Sequence, residues 1–379
     1  MSGYYSFHND IYLVFAALNS IMKFYSHIKE IDIEHSSMCN AACPGCTREI
    51  IPGNHKWFRQ TYLPEEIYST KIPDSVFENL ETIFFSGMVG DPCVAPNFLD
   101  VCKIIQHRAP HVNIRMSTNG GMRNPEWWAK LGATLKKGSL VRFAIDGLED
   151  TNHIYRVNVK WKKVLENFRA FIDAGGEAEW QWIAFKHNEH QIEQAKNFAR
   201  QEGFSRFIIR KSHKFLLDSL FELENVNKQG MQIEQPMDKD LIHPLILEKK
   251  QQFTIQDALK VSDKSCVSCA AQGNGMAYIS AEGYVFPCVF TGTCFHIFKN
   301  KDLGDGWKYL WENYGGDNIN LLKQDWSKIV EGSFFDEVQN GWMKSYKQGK
   351  LAACGLICSN SSARIFDLDI DHDVKTEFK

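Results

Sequence analysis

A chain of 379 residues with 44% hydrophobic content can bury one large core and a smaller one. Its formal charge of −3 argues against broad attraction to nucleic acid or to an anionic membrane. Eleven cysteines with no signal peptide before them argue against an extracellular disulfide framework and for metal binding in a reducing, cytoplasmic setting.

The apolar stretch from Ile11 to Phe24 contains Asn19, Ser20 and Lys23 and is too short to span a bilayer. A helical segment over residues 1–30 is expected to pack or to lie on the surface. A strand-like run, Ile31–Glu34, follows, and directly after it comes Cys39-Asn-Ala-Ala-Cys43-Pro-Gly-Cys46. Three thiolates on one loop can hold three irons of a four-iron cluster and leave the fourth open to a ligand, whereas ferredoxins use four cysteines per cluster. A structural zinc site would use two close pairs, and the next cysteine after Cys46 is Cys93.

Further short apolar stretches occur at Thr82–Phe85, Val112–Met116, Leu140–Ile145, Trp180–Phe185 and Arg206–Arg210. Helical patterns separate them. Between the fourth and fifth stretches, Trp161, Val164, Leu165, Phe168, Phe171 and Ile172 share one helical face, and Gly175-Gly176 ends the helix. Ile192, Ala195, Phe198 and Ala199 form a second stripe that ends at Gly203. Strands alternating with helices predict a parallel α/β architecture of barrel type, with chemistry on the loops after the strand C-termini.

Those loops carry suitable residues. The second strand runs into Ser86-Gly87-Met-Val-Gly90-Asp91-Pro92, where two glycines permit close backbone approach to a ligand or simply form a tight turn. Ser117 and Asn119 follow the third strand and Asp146 the fourth; such groups bind hydroxyls or cap the next helix. Arg156 can meet a carboxylate through its fork of donors, or form a surface ion pair. Trp127, Trp128, Trp180 and Trp182 are core candidates first and pocket candidates second. The basic run Arg206 to Lys214 alternates as a strand does and is not a phosphate tract.

Periodicity fades over residues 216–262, which suggests a bridging segment. A second cysteine group then begins with Cys266, Cys269, Cys288, Cys294, Cys354 and Cys358. The pattern Ala277–Ser280, a turn at Gly283, and Tyr284–Phe286 predicts a hairpin that brings Cys269 and Cys288 together, and Cys354 and Cys358 supply a second pair. Two such pairs suit a structural zinc or an iron–sulfur cluster. Cys93 and Cys102 are expected to pack as small hydrophobes. The acidic tail, residues 363–379, is expected to be mobile.

The C-x3-C-x2-C loop after the first strand resembles that of the radical S-adenosylmethionine (radical SAM) superfamily. The resemblance implies a partial (β/α)6 barrel over residues 31–215, with a [4Fe-4S] cluster on Cys39, Cys43 and Cys46 and SAM on the open iron. It also implies reductive cleavage of SAM to methionine and a 5′-deoxyadenosyl radical. By the same resemblance Gly87, Gly90 and Asp91 meet the methionine amino group, although Gly-Asp-Pro stands where Gly-Gly-Glu-Pro is usual. Ser117, Asn119, Asp146 and Arg156 then line the SAM site.

The later cysteines resemble the SPASM/twitch auxiliary-cluster domain, here residues 263–362. Order and spacing within that resemblance assign Cys269, Cys288, Cys354 and Cys358 to one auxiliary [4Fe-4S] cluster, with Cys266 and Cys294 as alternative ligands. The implied function is hydrogen abstraction from a C–H bond that oxidises, cross-links or epimerises a peptide or protein, fed by an electron donor such as flavodoxin or ferredoxin. Cys294, Cys266 or Cys93 is a candidate hydrogen donor for the last of these outcomes. A small molecule such as an aminocyclitol is the alternative substrate. A non-catalytic zinc or iron–sulfur module is the rival of another class.

Overall fold

A computed structural model describes residues 27–46, 48, 60–211, 214–215, 226, 230–248, 255–292, 305–359 and 373–378. The apolar stretch Ile11 to Phe24 and Cys294 lie outside these residues.

Six strands pair in parallel in chain order: β1 (Glu30–Ile33), β2 (Thr82–Phe85), β3 (Asn113–Thr118), β4 (Leu140–Ala144), β5 (Ala178–Ile183) and β6 (Arg206–Arg210). Each lies within two residues of its expected position. The helices Phe98–Arg108, Pro125–Thr134, Trp161–Asp173 and Ile192–Gln201 fall between them. The sheet stays open and extends at both ends, by β7 (Met276–Ile279) and β8 (Val285–Phe286) beyond β1 and by β9 (Val374–Glu377) beyond β6, in the order β8-β7-β1-β2-β3-β4-β5-β6-β9. This is a mixed α/β fold built on a partial barrel.

Alternation along the strands explains the layering. Ile31, Ile33, Ile83, Phe85, Val141, Phe143, Trp180 and Trp182 are fully buried. The helix Trp161–Asp173 sets Val164, Phe168 and Phe171 into the same core, with the Phe168 ring 6.2 Å from those of Trp180 and Phe143. Each such side chain contributes roughly 1.5–3 kcal/mol relative to exposure. Gly175, at φ +92°, ends that helix as its sequence predicts. Trp128, Trp180 and Trp182 belong to the core, and Trp127 packs edge-on against Trp128 at 5.2 Å.

The expected hairpin forms. β7 (Met276–Ile279) pairs antiparallel with β8 (Val285–Phe286) around Gly283, at φ +89°. β7 also pairs in parallel with β1, so the second cysteine region continues the same sheet. Within residues 216–262 the helices Pro244–Glu248 and Ile255–Ser262 appear where the sequence shows no period.

One expectation is corrected at the C-terminus. Residues in the supposedly mobile acidic tail form β9 (Val374–Glu377), antiparallel to β6. Asp373 accepts from Arg210 at 3.1 Å, and Glu377 lies 3.3 Å from Arg206. Acidic residues order here because β6 presents an open edge flanked by arginines.

Candidate metal centre and active site

The C-terminal ends of β1 to β4 bring the expected residues to one rim. Cys39, Cys43 and Cys46 follow β1; Gly87, Gly90 and Asp91 follow β2; Ser117 and Asn119 lie at the end of β3; and Asp146 and Arg156 follow β4. Arg48 holds the cysteine loop by donating to the carbonyls of Cys39 (3.0 Å) and Ala41 (2.6 Å).

Two side chains from other loops reach the sulfurs. Asn119 Nδ2 lies 3.6 Å from Cys39 Sγ, and Arg156 Nη1 lies 3.7 Å from Cys43 Sγ. Burial pushes the Cys39 thiol up to about 12, with Asp91 adding to the effect. Burial likewise pushes Cys43 up to about 11, against the pull of Arg156. A bound metal supplies the charge that deprotonates such thiols. Three thiols on one loop, with donors aimed at two of them, fit the three-iron attachment of an open cluster.

The carboxylates hold this rim together. Asp91 is buried and accepts from Cys93 N, Asn119 N, Asn119 Nδ2 and Thr118 Oγ1, at 2.8 to 3.1 Å. Its side chain therefore ties the β2 loop to the β3 loop, a role the sequence left undefined. Asp146, fully buried, accepts from Arg156 Nε at 2.6 Å and from Ile183 N at 2.6 Å. Burial works against the charge on Arg156, but Asp146 and Cys43 outweigh it and hold its pKa above the ordinary value. Gly87, at φ +63°, faces the Ser117 carbonyl, which a Cβ would approach to 3.2 Å.

A cavity of about 250 Å³ lies at the second cysteine group, and Cys269, Cys288, Cys354 and Cys358 all line it. Its remaining wall is mainly apolar, with Met276, Phe290 and Trp342 among its members. Backbone bonds join the two cysteine pairs: Ser268 N donates to Cys358 O at 2.9 Å, and Val267 bridges to Ser359. The buried Lys350 ammonium donates to the carbonyls of Ser262, Asp263 and Ser265 at 2.6 to 3.3 Å, which fastens the start of one pair to the start of the other. Four thiols around one enclosed space fit a four-iron cluster. Among the described residues, no three His, Cys, Asp or Glu side chains converge on a single metal ion.

Cys266 is exposed and stands outside the cavity wall. Cys93 and Cys102 are fully buried in the core. Sequence reasoning missed Glu34, which accepts from the backbone of the β2 loop, and Asp32, whose buried carboxyl lines the cysteine cavity. The alternation of Glu30, Asp32 and Glu34 with Ile31 and Ile33 is the signal that could have found them.

The profile described as Radical SAM superfamily matches residues 33–199. Solved structures with a similar fold include Streptococcus suis SuiB bound to S-adenosylmethionine, 14% identical, covering 70% of this chain and 59% of that one, TM-score 0.45. They include native anSMEcpe with bound AdoMet and Cp18Cys peptide, 14% identical, 84% of each chain, TM-score 0.49. BtrN in complex with AdoMet and 2-DOIA is 14% identical, with 88% and 93% of the chains covered and a TM-score of 0.44. No curated protein sequence matches the chain. No described helix is long and apolar enough to cross a membrane. The three-cysteine loop at the rim of a parallel partial barrel thus lies within residues 33–199, the part of the chain that matches the radical SAM superfamily.

Proposed function

We propose that the protein abstracts hydrogen from a C–H bond of a peptide or protein substrate and completes an oxidation with the help of a second cluster. The observation that carries this reading is the pairing of two thiol sets in one sheet. One is the open three-cysteine loop after β1, and the other is the four-cysteine cavity beside β7.

Cys39, Cys43 and Cys46 would hold the first cluster, and Cys269, Cys288, Cys354 and Cys358 the second. With SAM on the open iron, the first supplies a 5′-deoxyadenosyl radical, and the second offers a place for the electron the substrate loses. The chain's own contribution is placement. Asp91 and Asn119 lock the loops around Cys39, Arg156 sets a positive charge beside Cys43, and burial keeps water from the Cys43 thiol. Four thiols on the second cavity favour oxidation over a redox-neutral outcome. A flavodoxin or ferredoxin would deliver the starting electron.

Protein purified without oxygen is expected to contain about eight irons with matching sulfide and, once reduced, to release 5′-deoxyadenosine from SAM. Zinc in place of iron, or nucleoside release equal in the parent and in Cys43→Ala, would reject the proposal. Stimulation of that release by an aminocyclitol and not by peptides would select the small-molecule alternative.

A further inference from the structure

The loop after β2 turns three successive backbone N–H groups toward a single side chain. Met88 N and Val89 N donate to Glu34 Oε2 at 2.9 and 3.1 Å, and Gly90 N donates to Oε1 at 2.9 Å. Consecutive N–H groups arranged in this way form a nest for an anion. Here a buried side chain of the chain itself fills it, since Glu34 is only 2% exposed.

The same loop is pressed against the cysteine loop. A Cβ on Gly90 would lie 1.9 Å from the Ser36 carbonyl oxygen, and Asp91 N donates to Met38 O at 2.8 Å. The carbonyls of residues 87–90 are thereby set by two anchors, the Glu34 carboxylate on the N–H side and the Ser36–Met38 backbone behind.

We propose that Glu34 is a positioning residue for SAM: by taking up the three N–H groups, it fixes the 87–88, 88–89 and 89–90 peptide planes, and with them the carbonyls of Gly87, Met88 and Val89 that the ligand would meet. The inference rests on the radical SAM reading of the rim. The Glu34 carboxylate bonds to the loop after β2 and acts through it.

The groups facing Glu34 come from its own strand and from both neighbours. Asp32 adds negative charge from β1, the buried Tyr278 of β7 feels the Glu34 charge, and the Met88–Gly90 N–H groups come from the β2 side. Burial pushes Glu34 up to about 8, with Asp32 adding to the rise and the three N–H groups opposing it. Protonation places a hydroxyl hydrogen against the N–H donors and loosens the nest. SAM affinity is therefore expected to grow as pH rises from 7 to 9.

The test measures SAM binding to the reduced, iron-loaded protein from the change that SAM causes in the cluster's EPR spectrum, across pH 6.5 to 9. Glu34→Gln, which replaces one acceptor with a donor, is expected to weaken SAM binding about tenfold at pH 9, equivalent to ~1.4 kcal/mol. Its iron content is expected to match the parent, and its affinity to be flat with pH. Binding within twofold of the parent, or the same pH profile in both proteins, overturns the inference. If Glu34→Gln does not fold, the parent's pH profile decides, and affinity that falls or stays level from pH 7 to 9 overturns it. A parent that shows no SAM-dependent spectrum rejects the reading of the rim itself, and the inference with it.

Discussion

Arg156 holds Asp146 through Nε at 2.6 Å while its Nη1 points at the sulfur of Cys43, 3.7 Å away. One guanidinium thus links a fully buried carboxylate to a thiol of the three-cysteine loop. Removing it leaves Asp146 with the Ile183 N–H but no cation. Arg156→Leu is expected to lose about 3–5 kcal/mol of stability, since a buried charge has lost its partner. The double variant with Asp146→Asn should recover part of that loss. Anaerobic denaturant titration of the three proteins checks this, and equal stability of the single variant and the parent contradicts it.

Asp91 collects donors from three residues of two loops. Asp91→Asn turns one accepting oxygen into a donor that faces N–H groups. The expected cost is about 1–3 kcal/mol, because buried donors lose their acceptor. SAM binding should weaken while the iron count holds. Unchanged stability and affinity would show that the β2 and β3 loops keep their places without it.

The cysteine-lined cavity predicts where half the iron resides. Cys269→Ala should lower the metal from about eight irons per chain to about four, and reductive cleavage of SAM should survive. Ala353→Leu makes the same prediction by filling the cavity that Ala353 lines and leaving every thiol in place. Iron analysis with the EPR of the reduced proteins distinguishes the two clusters. Loss of all iron in Ala353→Leu would show that the cavity does not hold a separate centre.

Asp32 gives a prediction about pH. Burial pushes its carboxyl up to about 7, above the usual value of 3.8, with the nearby Ser86 hydroxyl opposing and Glu30 adding to the rise. A group raised on folding stabilises the native state below its unfolded pKa, and that contribution is lost as pH climbs through the folded pKa. Asp32→Asn cannot ionise. Its stability relative to the parent should therefore improve steadily from pH 4 to pH 7 and level off above, as read from the difference in Tm. A difference that does not change with pH would mean that Asp32 does not titrate in this range.

The six central strands were legible because each is a short apolar run between helical stripes, and period alone separates the two. The Cys39, Cys43 and Cys46 loop was legible because its three cysteines lie within eight residues of chain. Glu34 and Asp32 were hidden for the opposite reason. Each acts on groups more than fifty residues away, Met88 in one case and the wall around Cys269 in the other, and nothing local marks a carboxylate as an acceptor for distant N–H groups. The acidic tail misled because composition speaks to the isolated segment, whereas β9 is ordered by an open edge and two arginines elsewhere.

Local spacing by itself determined the alternating αβ order, the three-cysteine loop and the hairpin between Cys269 and Cys288, since all of these are interactions among near neighbours in the chain. Only the tertiary structure decided that the second cysteine group joins the sheet beside β1, that four of its thiols share one cavity, and that carboxylates after β1, β2 and β4 brace the rim. Those outcomes depend on strand pairing and on buried charges finding partners across long stretches of chain, and such contacts leave no periodic trace in sequence.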